Sequence, residues 1–124
     1  MRRLSLLLGL GLLAGCAGGH PAKFVVFFTQ NSTQLDAPAQ TVISQAAQRA
    51  LAHNATIRVE GYAAASKDLS ADELLAIDRA KIVARQLAVD GVDASRIRQQ
   101  PRGPVNNEDG ALASRRVEIE VVRN

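Results

Sequence analysis

"TIRVEGY", residues 56–62, alternates: Ile57, Val59 and Gly61 point one way, Arg58, Glu60 and Tyr62 the other. That is the period of a strand buried on one face. The next element decides the fold class. "SADE", Ser70–Glu73, is a capping-box pattern opening a helix that runs to about Val89. Leu74, Ile77, Lys81, Ala84 and Leu87/Ala88 recur at three or four residues, an apolar stripe broken only by Lys81, whose stem can snorkel at its edge. Asp90-Gly91 stops the helix, with Gly91 as a left-handed cap. Upstream, Asp36 caps a helix with Pro38 in its first turn that extends to about Ala52. Its apolar positions are Val42, Ile43, Ala46, Ala50 and Leu51, and His53 and Asn54 end it. "FVVFF", residues 24–28, is a continuous apolar run and reads as a central strand covered on both faces. Downstream, "SRIRQQ" (95–100) reads as a weak strand, either short or at an edge, and residues 101–114 as a long loop. In "RRVEIEVV" (115–122), Val117, Ile119 and Val121 point inward, with Glu118 and Glu120 on a solvated face. The order β-α-β-α-β-β predicts an α+β fold, a mixed sheet with two helices packed mainly on one face.

The N-terminus speaks to compartment. Arg2 and Arg3 precede an apolar run, Leu4–Leu13, too short to span a bilayer, which reads as an export signal. It ends in "LAGC", Leu13–Cys16, which resembles the lipobox of bacterial lipoproteins. That resemblance implies a signal peptide over 1–15, cleavage before Cys16, and acyl chains such as palmitate on its sulfur and new N-terminus. Residues 16–23 then form a lipidated tether and 24–124 one domain. Ala17, in place of the aspartate that favours inner-membrane retention, implies an outer-membrane anchor.

Composition excludes several functions. The chain has 15 basic and 12 acidic residues, and without Arg2 and Arg3 the remainder is 13 against 12. This near-neutral domain, with few aromatic platforms, gives no reason to expect nucleic acid as a partner. The single cysteine leaves no internal disulfide. His20 and His53 are isolated from ligand-type neighbours, so no metal is expected. No nucleophile–base pattern or phosphate loop is visible, and neither an enzyme nor a cofactor is expected.

Five pieces, in order, resemble one family. "VFFTQNSTQL" is similar to a first strand and loop written V-F-F-D-x-D-S-x-x-L, and "VEGY" to V-x-G-H. "DRA" (78–80) is similar to R-R-A, "GVDASRI" to the helix-exit turn, and "SRRVEIEV" to N-R-R-V-E-I. By these motifs the chain resembles the OmpA-like C-terminal domain of Gram-negative envelope proteins, including peptidoglycan-associated lipoproteins.

The resemblance implies recognition of the diaminopimelate in the peptidoglycan stem peptide. In that family an aspartate of G-H-T-D takes the ligand's ammonium and the R-R-A arginine its carboxylate. The arginine falls on Arg79. The histidine, threonine and aspartate fall on Tyr62, Ala63 and Ala64. An assisting asparagine falls on Asp72, two first-loop aspartates on Thr29 and Asn31, and the asparagine of the last strand on Ser114, beside Arg115 and Arg116. The carboxylate partner is kept and the ammonium partner is lost. A missing counter-charge of several kcal/mol weakens binding roughly a hundredfold or more, unless Asp72 or Asp68 compensates. Two functions are expected as alternatives: an outer-membrane lipoprotein whose periplasmic domain ties membrane to wall with weakened or altered binding, or a degenerate OmpA-like domain contacting another envelope protein. A plainer reading of Arg79 is a solvated helical arginine paired with Asp72 or Asp78.

Overall fold

The computed structural model describes residues 21–105 and 111–123. The expected signal segment, Cys16, most of the tether and part of the 101–114 loop lie outside the described residues. Within them run β1 (Ala22–Phe27), α1 (Ala37–His53), β2 (Thr56–Ala64), α2 (Leu69–Val89), a 3-10 turn (Ala94–Arg96), β3 (Ile97–Val105), a short α3 (Ala111–Ser114) and β4 (Arg116–Val122). The strands form one mixed sheet in the order β1-β4-β2-β3. The last strand inserts between the first two, antiparallel to both, and β3 lies parallel to β2.

The inward residues of β2 and β4 pair directly: Ile57 with Val121, Val59 with Ile119, Gly61 with Val117. They pack against Ile43, Ala46, Ala47 and Ala50 of α1 and Ala80, Val83 and Leu87 of α2. Both long helices therefore cover one face. Gly61 sets the spacing: a β-carbon there would collide with the Ala76 carbonyl oxygen and lie 3.0 Å from the Ala80 β-carbon. The alanine-rich face of α2 rests on bare backbone.

The α1 cap is as expected: the Asp36 carboxylate accepts from the Ala39 N–H, and Asn54 closes the helix in the left-handed region. Gly91, at φ 108, follows α2. Several expectations are corrected. β1 is an edge strand, not a central one. Val26 and Phe28 go into the core while Phe27 stays exposed, because its long apolar run exceeds what one covered face can bury. The α2 cap is Asp68, two residues before Ser70. The buried stripe of α2 is Asp72, Ala76, Arg79, Ala80, Val83, Ala84 and Leu87, so Leu74, Lys81 and Ala88 face outward. Leu51 of α1 is exposed as well. β3 continues through Pro101 and Pro104 as far as Val105. An edge strand tolerates residues lacking an N–H, and a bulge opposite Gly61/Tyr62 absorbs the irregularity. A short helical turn, α3, interrupts the region read as loop.

The helix-free face is a charged lattice. Glu60 stands opposite Glu118 across β2 and β4, a repulsive pairing if left bare. The Tyr62 hydroxyl lies 3.2 Å from Glu60 and 3.4 Å from Glu118, Arg102 donates twice to Glu60, and Arg116 donates to Glu118. Burial alone would raise the Glu60 carboxyl. The hydrogen bonds and charge of Arg102, with Tyr62 and Arg58, outweigh it and hold the group below its ordinary 4.5. A depressed carboxylate stabilises the fold above its unfolded pKa, and that contribution disappears as pH falls through the folded value. Glu60→Gln is therefore expected to lower the melting temperature at pH 7 and to flatten its decline between about pH 5 and 3. Parallel acid limbs for the two proteins would contradict this.

Candidate functional site

Arg79 lies on the buried face of α2 and is 0 % exposed. Its Nε donates to the Ser32 carbonyl at 3.0 Å, Nη1 to that of Tyr62 at 3.2 Å and Nη2 to that of Thr29 at 3.2 Å. The guanidinium also sits 5.2 Å from the centre of the Phe28 ring. One side chain thus ties α2 to the end of β2 and to the β1–α1 loop. A planar fork with fixed donor directions suits three carbonyls, whereas an ammonium does not. Burial, and secondarily the neighbouring Arg115 charge, lowers the Arg79 pKa to about 10, so it remains charged at neutral pH. It pairs with neither Asp72 nor Asp78; carbonyl oxygens take their place.

Arg115 follows the same logic nearby. Its Nε donates to the Phe28 carbonyl at 3.2 Å, while the Phe28 N–H donates to the Arg115 carbonyl at 2.8 Å. Between the β1–α1 loop and the end of β2 opens a cleft of about 330 Å³. Gln30, Asn31, Ala64, Ser66, Asp72, Arg79 and Arg115 are among its lining residues. Two guanidiniums and one carboxylate leave it net positive.

The carboxylate is Asp72, buried in the first turn of α2. It accepts from the Ser66 N–H at 2.6 Å and from the Ser66 hydroxyl, 2.9 Å from each oxygen. These bonds shape the loop from β2 into α2 but do not fill the four acceptor sites of a carboxylate.

The structure therefore brings Arg79, Ala64 and Asp72 to one cleft. Thr29 is not among the lining residues, and its part is a carbonyl that accepts from Arg79. Tyr62 likewise contributes a carbonyl, while its ring lies on the helix-free face, 4.0 Å under the Arg116 guanidinium. Ala63 is buried toward the helices. Asp68 is exposed and capped onto the Ala71 N–H, and it is not among the cleft residues. Sequence reasoning gave Ser66 and Gln30 no role. Ser66 had a readable signal, a hydroxyl residue two positions before the capping aspartate. Gln30 had none, since its place depends on how the loop folds back. Among the described residues, no cluster of His, Cys, Asp and Glu is arranged to hold a metal ion, and no helix is long and apolar enough to cross a membrane.

A four-stranded mixed sheet with helices on one face and a charged cleft at the β2–α2 junction is the architecture of an OmpA-like domain. The chain belongs to the OmpA family, whose sequence profile matches residues 27–117. Similar solved structures include the OmpA-like domain of FopA1 from Francisella tularensis (19 % identity, TM-score 0.70, covering 82 % of this chain and 71 % of that one). Another is the peptidoglycan-associated lipoprotein of Burkholderia pseudomallei (22 %, 0.69, 80 % and 88 %). A third is the type VI secretion cell wall anchor of Pseudomonas aeruginosa (22 %, 0.65, 82 % and 82 %). No curated protein matches the chain.

Proposed function

We propose that the chain is an outer-membrane lipoprotein, acylated at Cys16, whose periplasmic domain binds the diaminopimelate of the peptidoglycan stem peptide with weakened affinity. It acts by recognition, with no catalytic step. The observation that carries the reading is a cleft whose lining includes Arg79, Arg115 and Asp72. Such a cleft suits a ligand that bears a carboxylate and an ammonium on one carbon. In this reading Arg115 takes the carboxylate, aided by the field of the buried Arg79 charge, and Asp72 takes the ammonium. Asp68 is committed to its helix cap and does not compensate. Two of the similar structures are described as a peptidoglycan-associated lipoprotein and a cell wall anchor, which supports the ligand class.

The test is co-sedimentation with purified peptidoglycan, with free diaminopimelate as competitor. Ala64→Asp returns a carboxylate to the cleft at the position of the family's aspartate. It is expected to tighten binding at least tenfold, about 1.4 kcal/mol. Asp72→Asn is expected to abolish what binding the natural chain has. If neither the natural chain nor Ala64→Asp pellets at moderate salt, the reading is wrong. The second reading, a domain that contacts another envelope protein, rests on Ala64, which leaves the cleft without the family's counter-charge.

A further inference from the structure

The strand directions separate the two ends of the domain. β1, β2 and β3 all start at the end where β4 finishes: Ala22 pairs with Val121, Thr56 with Val122, and Ile57 with Ile97. Both long helices also finish there, since α1 leads into β2 and α2 into β3. The cleft lies at the opposite end, at Ala64, Ser66 and Arg115. β1 therefore begins, at Ala22, at the end remote from the cleft.

The basal end combines exposed aliphatic side chains with an excess of cations; apolar exposure alone does not single it out, since Phe27, Leu69 and Leu112 stand toward the cleft end. Leu51, in the last turn of α1, is 54 % exposed, and Val89, the last residue of α2, is 77 % exposed. The two helix ends adjoin, because a β-carbon at Gly91 would lie 3.5 Å from a Leu51 methyl. At this end of the fold Arg98 is the second residue of β3, Arg123 follows the end of β4 and Arg49 lies one turn before the end of α1, all exposed, and the Arg96 Nη1 donates to the Asn54 carbonyl at 2.7 Å. Against these four cations are Asp93, which caps the 3-10 turn, and Asp90, which accepts from Gln86 and buries its other oxygen. Exposed aliphatic side chains together with arginines suit an anionic interface, where the apolar groups enter the headgroup layer and the cations meet the phosphates.

Five residues separate Cys16 from Ala22, a reach of about 20 Å at full extension. We propose that the domain docks its basal end, through Leu51, Val89 and the arginines of that end, onto the phospholipid surface that holds its anchor. This rests on the reading that Cys16 is acylated. The docked domain presents the cleft away from the bilayer, about 25 Å above it, the length of the nine-residue β2. The tether then sets position and the basal surface sets orientation.

The test uses the full chain as secreted, reconstituted in phosphatidylethanolamine–phosphatidylglycerol vesicles. A nitroxide is placed at Ala52→Cys on the basal end or at Lys67→Cys beside the cleft, and intact mass is measured on each sample. The basal label is expected to collide preferentially with oxygen, which partitions into the bilayer, and the cleft label with a water-soluble nickel complex. Arg98→Glu with Arg123→Glu should raise nickel access at the basal label several-fold and leave the cleft label unchanged. Leu51→Ser with Val89→Ser should do the same without altering charge. A chain carrying acyl mass whose two labels are equally accessible to nickel overturns the docking alone. A chain without acyl mass overturns the lipid-anchor reading and the docking with it.

Discussion

Replacing Arg79 with methionine is expected to lower the unfolding free energy by about 3–5 kcal/mol, read from the denaturation midpoint at constant slope. Two effects oppose each other. Removing a buried cation relieves its desolvation, which alone favours the variant. The three carbonyls of Thr29, Ser32 and Tyr62 remain, however, because they belong to the backbone and cannot be mutated away. Each stranded acceptor costs about 1–3 kcal/mol, and methionine supplies no donor. Water entering from the cleft recovers part of this, so the sum stays below the upper bound. Arg79→Lys should lose about 2 kcal/mol, since a point charge cannot serve three directions at once. For a small domain stable by about 5–15 kcal/mol, Arg79→Met approaches the limit of folding. Loss of peptidoglycan binding in an Arg79 variant therefore does not identify a ligand contact by itself. Asp72→Asn and Ala64→Asp, which leave the Arg79 fork intact, separate recognition from folding. A methionine variant within about 1 kcal/mol of the natural chain would show that the fork is dispensable.

Gly61→Val is expected to yield little folded protein, and Gly61→Ala to lose about 3 kcal/mol. The new β-carbon meets the carbonyl oxygen of Ala76, part of the α2 backbone, and the Ala80 β-carbon. Neither is the movable end of a flexible side chain. The helix must lift off the sheet, and it carries Asp72 and Arg79 with it, so the cleft should distort along with the loss of stability. Gly103→Ala provides the contrast. Nothing lies within 4 Å of its β-carbon position, but its φ of 75 is left-handed, so strain alone should cost about 1–2 kcal/mol. Guanidinium denaturation of the three variants distinguishes collision from strain by the order of the losses. Equal losses in Gly61→Ala and Gly103→Ala would refute the packing argument.

Much of the fold is legible because its elements carry local signals. The alternation of residues 56–62 and 116–122, the Asp36 cap and the Asp90-Gly91 stop each act within a few residues. The departures come where burial depends on distant partners. The "FVVFF" run reads as a central strand because apolar content alone does not say how many faces are covered. The phase of α2 misleads because Asp72 and Arg79 look like surface residues until their partners are in view. The prolines of β3 look like loop until the strand proves to be an edge. The cleft is legible in part. The family spacing points to Arg79, Ala64 and Asp72, which do meet. It also points to Tyr62, whose side chain the strand alternation carries to the other face.

By itself, the sequence determined the order of the four strands and two long helices, the fold class and the positions at which a family pattern places its binding residues, since periodicity, caps and short motifs are local properties of the chain. Only the tertiary structure decided that β4 inserts between β1 and β2, that Arg79 is held by three carbonyls and no carboxylate, and that the cleft and the start of β1 lie at opposite ends. Those outcomes depend on contacts between residues distant in the chain, from Arg79 with Tyr62 to Arg115 with Phe28 and Ala22 with Val121. Such contacts are set by which surfaces can bury one another, and no local pattern encodes that.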